Sequence, residues 1–167
     1  ESVRIESTEG APEEGMPFGK GPAKALRHAL HLAEQLGFRT ENIDNRIGYA
    51  ECGAGEEMIA ALGHLDVVDA GKGWSFPPFS GDVCDGTIRG RGTLDNKGPI
   101  IGALYAMKAV EASGLPLSRR IRIIFGTNEE TGSRDIASYK ETQEAPVMAF
   151  TPDASYPAIF AEKGILT

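Results

Sequence analysis

The chain has 167 residues and a formal net charge of -7, with a sequence pI near 5.0. This length suits one domain or a piece of a larger one. The acidic balance argues against nucleic acid and anionic membranes as partners, because both repel a negative surface. No stretch approaches the roughly 18 apolar residues of a membrane span. The two cysteines form neither a CxxC pair nor a disulfide framework, which favours a reduced, cytoplasmic setting.

The first third of the chain predicts a loop, a helix and two strands. Residues 6–22 are rich in Gly, Pro and Glu, which is typical of a surface loop. Apolar residues recur at three- and four-residue steps over 22–36 and predict an amphipathic helix that ends before a glycine. Residues 46–52 and 58–62 predict strands on either side of a glycine-rich turn.

The rest of the chain continues the alternation of strands and helices. A short hairpin is predicted about residues 85–86, followed by the strongest helix at 97–112. Residues 120–125 are the clearest strand, 134–140 predict a short helix, and 147–151 predict another strand. Helices that alternate with apolar strands indicate an α/β fold, which we expect to be a three-layer α/β/α arrangement around a mixed, mostly parallel sheet.

The two ends of the sequence resemble neither a native start nor a native stop. The chain begins with Glu1 rather than Met, and it ends at AEKGILT within a strand-like pattern. We therefore expect residues 1–167 to be part of one catalytic domain of a longer protein. A sheet interrupted near residues 163–167 would expose a strand edge, and self-association through that edge is predicted.

Four clusters of acidic or imidazole side chains follow predicted strands. Ligands bind at the carboxyl ends of strands in open α/β sheets, so separated clusters can meet there. Five carboxylates around one imidazole would repel one another unless cations offset them, and zinc accepts both kinds of ligand. The clusters are GHLD (His64, Asp66), RGTLDNKGP (Asp95), TNEET (Glu129, Glu130) and TPDA (Asp153).

Each cluster also has a purely structural interpretation. His64 and Asp66 could be a simple hydrogen-bonded pair, and Asp95 could cap the helix that follows it. Adjacent glutamates are common on a solvated face or at a helix start, and Asp153 follows a proline as turn residues do. The occurrence of all four clusters after strands of one chain favours a metal site.

These motifs, in this order, resemble a zinc metallopeptidase family that includes dipeptidase V, carnosinase, carboxypeptidase G and acetylornithine deacetylase. The similarity extends from Gly37 to the end of the chain, through GHLDVVDAGKGW, RGTLDNKGP, GTNEET and TPDASYPAIFAEKG. The sequences of these motifs are most similar to those of the dipeptidase V branch, in which Asp often occupies the position of Asn96.

The resemblance implies a role for each site residue. Asp95 would bridge two zinc ions, with cobalt or manganese as alternative metals. His64 and Asp153 would complete the protein ligands of one ion, and Glu130 would bind the other. The catalytic residues would be Glu129, as general base, and Asp66, which would hydrogen-bond to His64 and fix its tautomer. A cis peptide bond between Asp95 and Asn96 is also implied.

The implied reaction is hydrolysis of a dipeptide by a metal-activated water, with Glu129 moving the proton from the water to the leaving amine. The family takes a further metal ligand from a late histidine, and a lid domain holds the substrate. The chain has only His28, His31 and His64, and the first two lie on the first predicted helix. We therefore expect one near-complete metal position, a half-formed second one, and negligible turnover by this chain alone.

Two other functions fit the same residues. An N-acyl amino acid deacetylase or a carboxypeptidase of the same family would use every side chain named above. A non-catalytic binding protein on the same fold is the third hypothesis, and the presence of Glu129 argues against it.

Overall fold

A computed structural model describes residues 1–153, which form seven strands and three α-helices. The helices are α1 (Lys20–Gln35), α2 (Lys97–Ala112) and α3 (Arg134–Thr142). The strands are β1 (Arg39–Ile43), β2 (Ile47–Cys52), β3 (Met58–His64), β4 (Asp82–Cys84), β5 (Thr87–Arg89), β6 (Arg120–Gly126) and β7 (Met148–Phe150). The strand edge predicted near residues 163–167 lies outside the described residues. The self-association expected from that edge therefore stays a prediction.

The main sheet has five strands in the order β1-β2-β6-β3-β7. β3 pairs in parallel with both β6 and β7, whereas β2 is antiparallel to both β1 and β6. Four strands therefore run in one direction and β2 opposes them. This is the mixed, mostly parallel sheet that the sequence predicts.

Alternate residues of the strands face two separate cores. On β6, Ile123 and Phe125 pack with α1 and α2, whereas Ile124 packs on the opposite face with Tyr139 of α3. This period-two alternation is the pattern of a strand buried on both sides. The sheet is thus covered by helices on each face, and the predicted three-layer α/β/α arrangement is confirmed.

The predicted helices and strands are present, with one strand added, and α1 begins at Lys20, within the region that was predicted to be a loop. The sequence analysis missed β1, whose residues RTENI are mostly polar and exposed. β1 forms a hairpin with β2 through Asp44 and Asn45, which have φ of 52° and 53°, a conformation that Asp and Asn tolerate better than most residues. The second hairpin, β4–β5, has its turn at Asp85 and Gly86 as predicted. None of the helices within residues 1–153 has the length and apolarity to cross a membrane.

A buried ion-pair network stabilises the end of the sheet where β6 begins. The Arg122 guanidinium lies 2.6 Å from the Glu51 carboxylate and donates a 2.7 Å hydrogen bond to the Tyr139 hydroxyl. Arg122 also stacks 3.7 Å from the ring centroid of Tyr49, and Arg120 adds a second ion pair to Glu51. The buried charges of this network therefore have partners within the protein.

Glu51→Ala should lower the free energy of unfolding by about 3 kcal/mol, because it leaves the buried Arg122 charge without its main partner. Urea denaturation of the purified protein measures the change. Glu57→Ala is the matched control, since the Glu57–Arg119 pair has side chains that are 55% and 49% exposed. That control should change stability by no more than about 0.5 kcal/mol, and equal effects of the two variants would contradict the prediction.

Candidate metal centre

The parallel strands bring the predicted site residues to one edge of the sheet. His64 ends β3 and pairs in register with Gly126, the last residue of β6. Glu129 and Glu130 follow β6 in a short 3-10 turn, and Asp153 follows β7. Because β3, β6 and β7 are parallel, the segments after them leave the same edge, as predicted.

His64 lies at the centre of the site and is buried. Its Nε2 atom is 3.0 Å from Asp95 Oδ1, 3.5 Å from Asp153 Oδ2 and 3.9 Å from Glu129 Oε2. Three carboxylates from three different segments thus face one ring nitrogen. The Asp95 and Glu129 side chains keep 65% and 51% of their surface exposed, so the cluster is open to a ligand from solvent.

Asp66 connects His64 to the glutamate turn. Its backbone carbonyl oxygen lies 3.0 Å from His64 Nδ1, and its carboxylate lies 3.4 Å from the same nitrogen. The carboxylate also accepts hydrogen bonds from the backbone N–H groups of Glu129 and Glu130, at 3.2 and 3.1 Å. The contact predicted for Asp66 is therefore shared between its carbonyl and its carboxylate, and the link to the glutamate turn is new.

Asn96 joins two of the site segments and was not predicted to do so. This fully buried side chain accepts a hydrogen bond from the His64 backbone N–H, and it donates to Asp153 Oδ1 at 2.9 Å. Gly63 permits this approach, since a Cβ there would lie 2.3 Å from Asn96 Oδ1. The peptide bond between Asp95 and Asn96 is cis, as the resemblance implied.

The capping role considered for Asp95 is wrong. The N-cap residue of α2 is Asn96, and neither residue caps the helix with its side chain. The Asp95 carboxylate instead faces His64.

Two buried side chains hold the segment that carries Glu129 and Glu130. Asp135 accepts hydrogen bonds from the backbone N–H groups of Thr127, at 2.7 Å, and Asn128, at 3.2 Å. The Asn128 side-chain oxygen in turn accepts from the Arg134 backbone N–H and guanidinium. The sequence analysis missed both residues, because they act on backbone groups and match no catalytic motif.

The electrostatics of the site are those of crowded carboxylates. Burial alone lowers the pKa of His64, but the hydrogen bond and charge of Asp66, with the charge of Asp153, outweigh it and raise the pKa to about 9. Burial raises the pKa of both Glu129 and Glu130, and the neighbouring aspartates raise it further. Two glutamates with raised pKa values beside an imidazole whose pKa is also raised indicate a shortage of positive charge.

The donor atoms suit a divalent cation such as zinc. His64, Asp95 and Glu130 each offer one ligand atom, and these atoms lie within 4.8 Å of one another. Imidazole nitrogen and carboxylate oxygen are common zinc ligands. A cavity of about 250 Å³ lies beside His64, Glu129 and Asp153, and another of about 370 Å³ lies beside Asp66 and Glu130. Both sides of the cluster are therefore accessible.

The fold and the donor set define an α/β protein with a candidate imidazole–carboxylate site for divalent cations at the carboxyl edge of its sheet. The chain belongs to peptidase family M20/M25/M40, whose family model matches residues 60–167. This confirms the family expected from the motifs.

Individual relatives agree with this assignment. The Bacillus subtilis (strain 168) protein named "Putative dipeptidase YtjP" is 46% identical over 165 residues, which are 99% of this chain and 35% of that protein. Human carnosine dipeptidase 1 has a TM-score of 0.69 at 28% identity, over 84% of this chain and 33% of its own. The M20 family metallo-carboxypeptidase Sso-CP2 from Sulfolobus solfataricus has a similar fold, with a TM-score of 0.73 at 22% identity, over 92% of this chain and 36% of its own. The chain thus spans about a third of the length of these proteins.

In the metal-free protein, His64 should titrate with a midpoint near pH 9, which NMR of the ring protons measures. Because folding raises this pKa above 6.5, the stabilising contribution is complete below pH 6.5 and is lost as the pH rises through about 9. Asp66→Asn should move the midpoint down towards the ordinary value, because it removes the main favourable charge.

His28 is the internal control for this titration. Burial lowers the pKa of His28 below 6.5, so the midpoints of the two histidines should lie on opposite sides of the ordinary value. A wild-type His64 midpoint at or below pH 6.5 would contradict the prediction.

Proposed function

We propose that this chain carries most of the metal site of a dipeptidase that hydrolyses the peptide bond of small peptides. The observation that carries the proposal is the convergence of Asp95, Glu129 and Asp153, from three separate segments, around Nε2 of His64. A purely structural role would not require several acids to share one imidazole at an open cavity.

Two zinc ions are the proposed cofactors, with cobalt or manganese as alternatives. His64, Asp95 and Asp153 would hold one ion, and Asp95 with Glu130 would hold part of the coordination of the second. When bound, such ions lower the pKa of a water and polarise the scissile carbonyl group. Asp66 would keep Nε2 of His64 free for the metal, because Nδ1 already contacts the Asp66 carbonyl oxygen.

Glu129 is the proposed general base. Its carboxylate lies at the rim of the cavity, 3.9 Å from His64 Nε2, and is about half exposed. Burial and the neighbouring carboxylates raise its pKa, which makes it a stronger base towards an attacking water. Glu129 would then deliver the proton to the leaving amine.

A dipeptide is the proposed substrate class. The support comes from relatives, since the 46% identical Bacillus subtilis protein and human carnosine dipeptidase 1 both carry a dipeptidase name. We also propose a cytoplasmic location, since the two cysteines form neither a CxxC pair nor a disulfide framework. The net charge of -7 argues against nucleic acid and anionic membranes as partners, and a small free peptide agrees with that expectation.

The domain organisation follows as part of the same proposal. Residues 1–167 would form part of a catalytic domain. The lid domain and the rest of the catalytic domain would correspond to the remaining two thirds of relatives such as the Bacillus subtilis protein. Since no histidine follows His64 here, the second metal position would lack a ligand, and this chain alone would be inactive.

Isothermal titration of the 167-residue chain with zinc should reveal one dominant site. Asp95→Ala should lower the affinity of this site for zinc by more than about 100-fold. Loss of a residue that only orients a metal ligand costs about 10- to 100-fold, and loss of the ligand itself should cost more. Asp82→Ala, on the exposed β4–β5 hairpin, is the matched control and should bind zinc as the wild type does. Two equally tight sites in the wild type, or equal effects of both variants, would count against the assignment.

Glu129→Gln in the full-length protein should lower kcat by at least about 100-fold while zinc binding is retained, because the amide cannot accept the proton. Hydrolysis of a dipeptide and of its N-acetyl counterpart is measured in parallel. A clear preference for the free dipeptide is expected. Preference for the acetylated compound would indicate a deacylase, and a wild type that binds zinc but cleaves neither would indicate a binding protein.

A further inference from the structure

The N-terminal segment of residues 2–9 is named here the N-terminal strap. It contacts three parts of the chain, which are the segment after β3, the start of α2 and the segment after β6. None of its residues belongs to the proposed metal site. The segment is nevertheless partly buried, with Val3, Ile5 and Ser7 all inaccessible to solvent or nearly so.

The central contact of the strap brackets Asp66. The Ser7 hydroxyl, which is 0% exposed, donates a 2.6 Å hydrogen bond to the Leu65 carbonyl oxygen. The Val67 backbone N–H donates to the Ser7 carbonyl oxygen at 3.3 Å. The residues on both sides of Asp66 are therefore bonded to the same strap residue.

The position of Asp66 sets the position of the glutamates. The Asp66 carboxylate accepts hydrogen bonds from the backbone N–H groups of Glu129 and Glu130, and it lies beside His64. A change at Ser7 would pass through Asp66 to the proposed base and to one proposed ligand, without any direct contact between Ser7 and either of them.

The two ends of the strap contact the other segments. The buried Lys97 ammonium, two residues after Asp95, donates to the Ile5 carbonyl oxygen at 2.6 Å and to the Ser2 carbonyl oxygen at 3.3 Å. At the other end, the Glu9 carboxylate accepts from the Asn128 side chain and forms an ion pair with Arg134. The strap thus bonds to the start of α2 and to the segment that carries Glu129.

We propose that the N-terminal strap fixes the three ligand-bearing segments relative to one another, and that Ser7 is a positioning residue for Asp66. This inference rests on the proposed function, because it assigns the strap to the geometry of that metal site. Ser7 touches neither substrate nor metal, so its effect is on the placement of Glu129 and Glu130.

The test is Ser7→Ala in the full-length protein, which leaves the Leu65 carbonyl oxygen without its buried donor. In the metal-free protein, amide hydrogen exchange at Glu129 and Glu130 should become about five- to tenfold faster, as expected for a locally weakened segment. With cobalt bound, the visible absorption spectrum should change, and kcat should fall about 10- to 100-fold with little change in KM.

Ala29→Gly is the control for a general loss of stability. Ala29 is buried in α1, and glycine there weakens the helix without touching the site. This variant should lower the melting temperature yet leave exchange at Glu129 and Glu130, the cobalt spectrum and kcat as in the wild type. If Ser7→Ala behaves like Ala29→Gly, the positioning role is overturned.

Glu9→Gln provides a second variant should Ser7→Ala fail to fold. It removes the charge that pairs with Arg134 at the partly buried far end of the strap, and kcat should fall about two- to threefold with the same spectral trend. An unchanged spectrum and kcat in Glu9→Gln would overturn the proposal. A wild type that binds no cobalt would overturn the proposed function together with the strap's role. A wild type that binds cobalt, with the amide exchange, cobalt spectrum and kcat of the strap variants all unchanged, would overturn the strap's role alone.

Discussion

The carboxylate of Asp66 is the interaction on which the rest of the site depends. It is buried, and its two oxygens accept the backbone N–H groups of Glu129 and Glu130. A carboxylate out of water needs such donors, because an unpaired charge there would be strongly destabilising. The side chain that lies beside His64 is therefore also hydrogen-bonded to the turn after β6, which links the imidazole to the glutamates.

Much of the fold could be predicted because its central elements have strong local patterns. α2 and β6 are apolar over most of their length, and each lies where the sequence predicts it. β1 could not be found in this way, since only the last of its five residues is buried. The insertion of β6 between β2 and β3 was also beyond a local pattern, because it depends on pairing between segments that are 62 to 79 residues apart.

The convergence of the charged side chains at the candidate site could be predicted for a related reason. Side chains that bear charge, such as His64 and Asp95, are visible in the sequence as chemistry, and the rule that strand ends converge brings them together. Asn96, Asp135 and Ser7 are not visible in this way, because each forms hydrogen bonds with backbone groups of another segment. Only coordinates reveal which backbone group a buried polar side chain contacts.

The two polar ends of the sheet differ in how their charge is balanced. Where β6 begins, three arginines (Arg39, Arg120 and Arg122) contact Glu51 and Glu144, so the charges have partners within the protein. Where β3 and β6 end, five carboxylates lie near one imidazole, and the buried Lys97 ammonium is directed at the carbonyl groups of the N-terminal strap.

A stable core gains nothing from an unbalanced group of acids, because each carboxylate raises the electrostatic cost of ionising the others. The sequence places that imbalance at the open edge, beside cavities, and not at the closed end. Such an arrangement is understandable when the missing positive charge comes from solvent as a cation. The Arg122 network thus balances its charges within the chain, whereas the His64 cluster would be balanced by the cations of the proposed function.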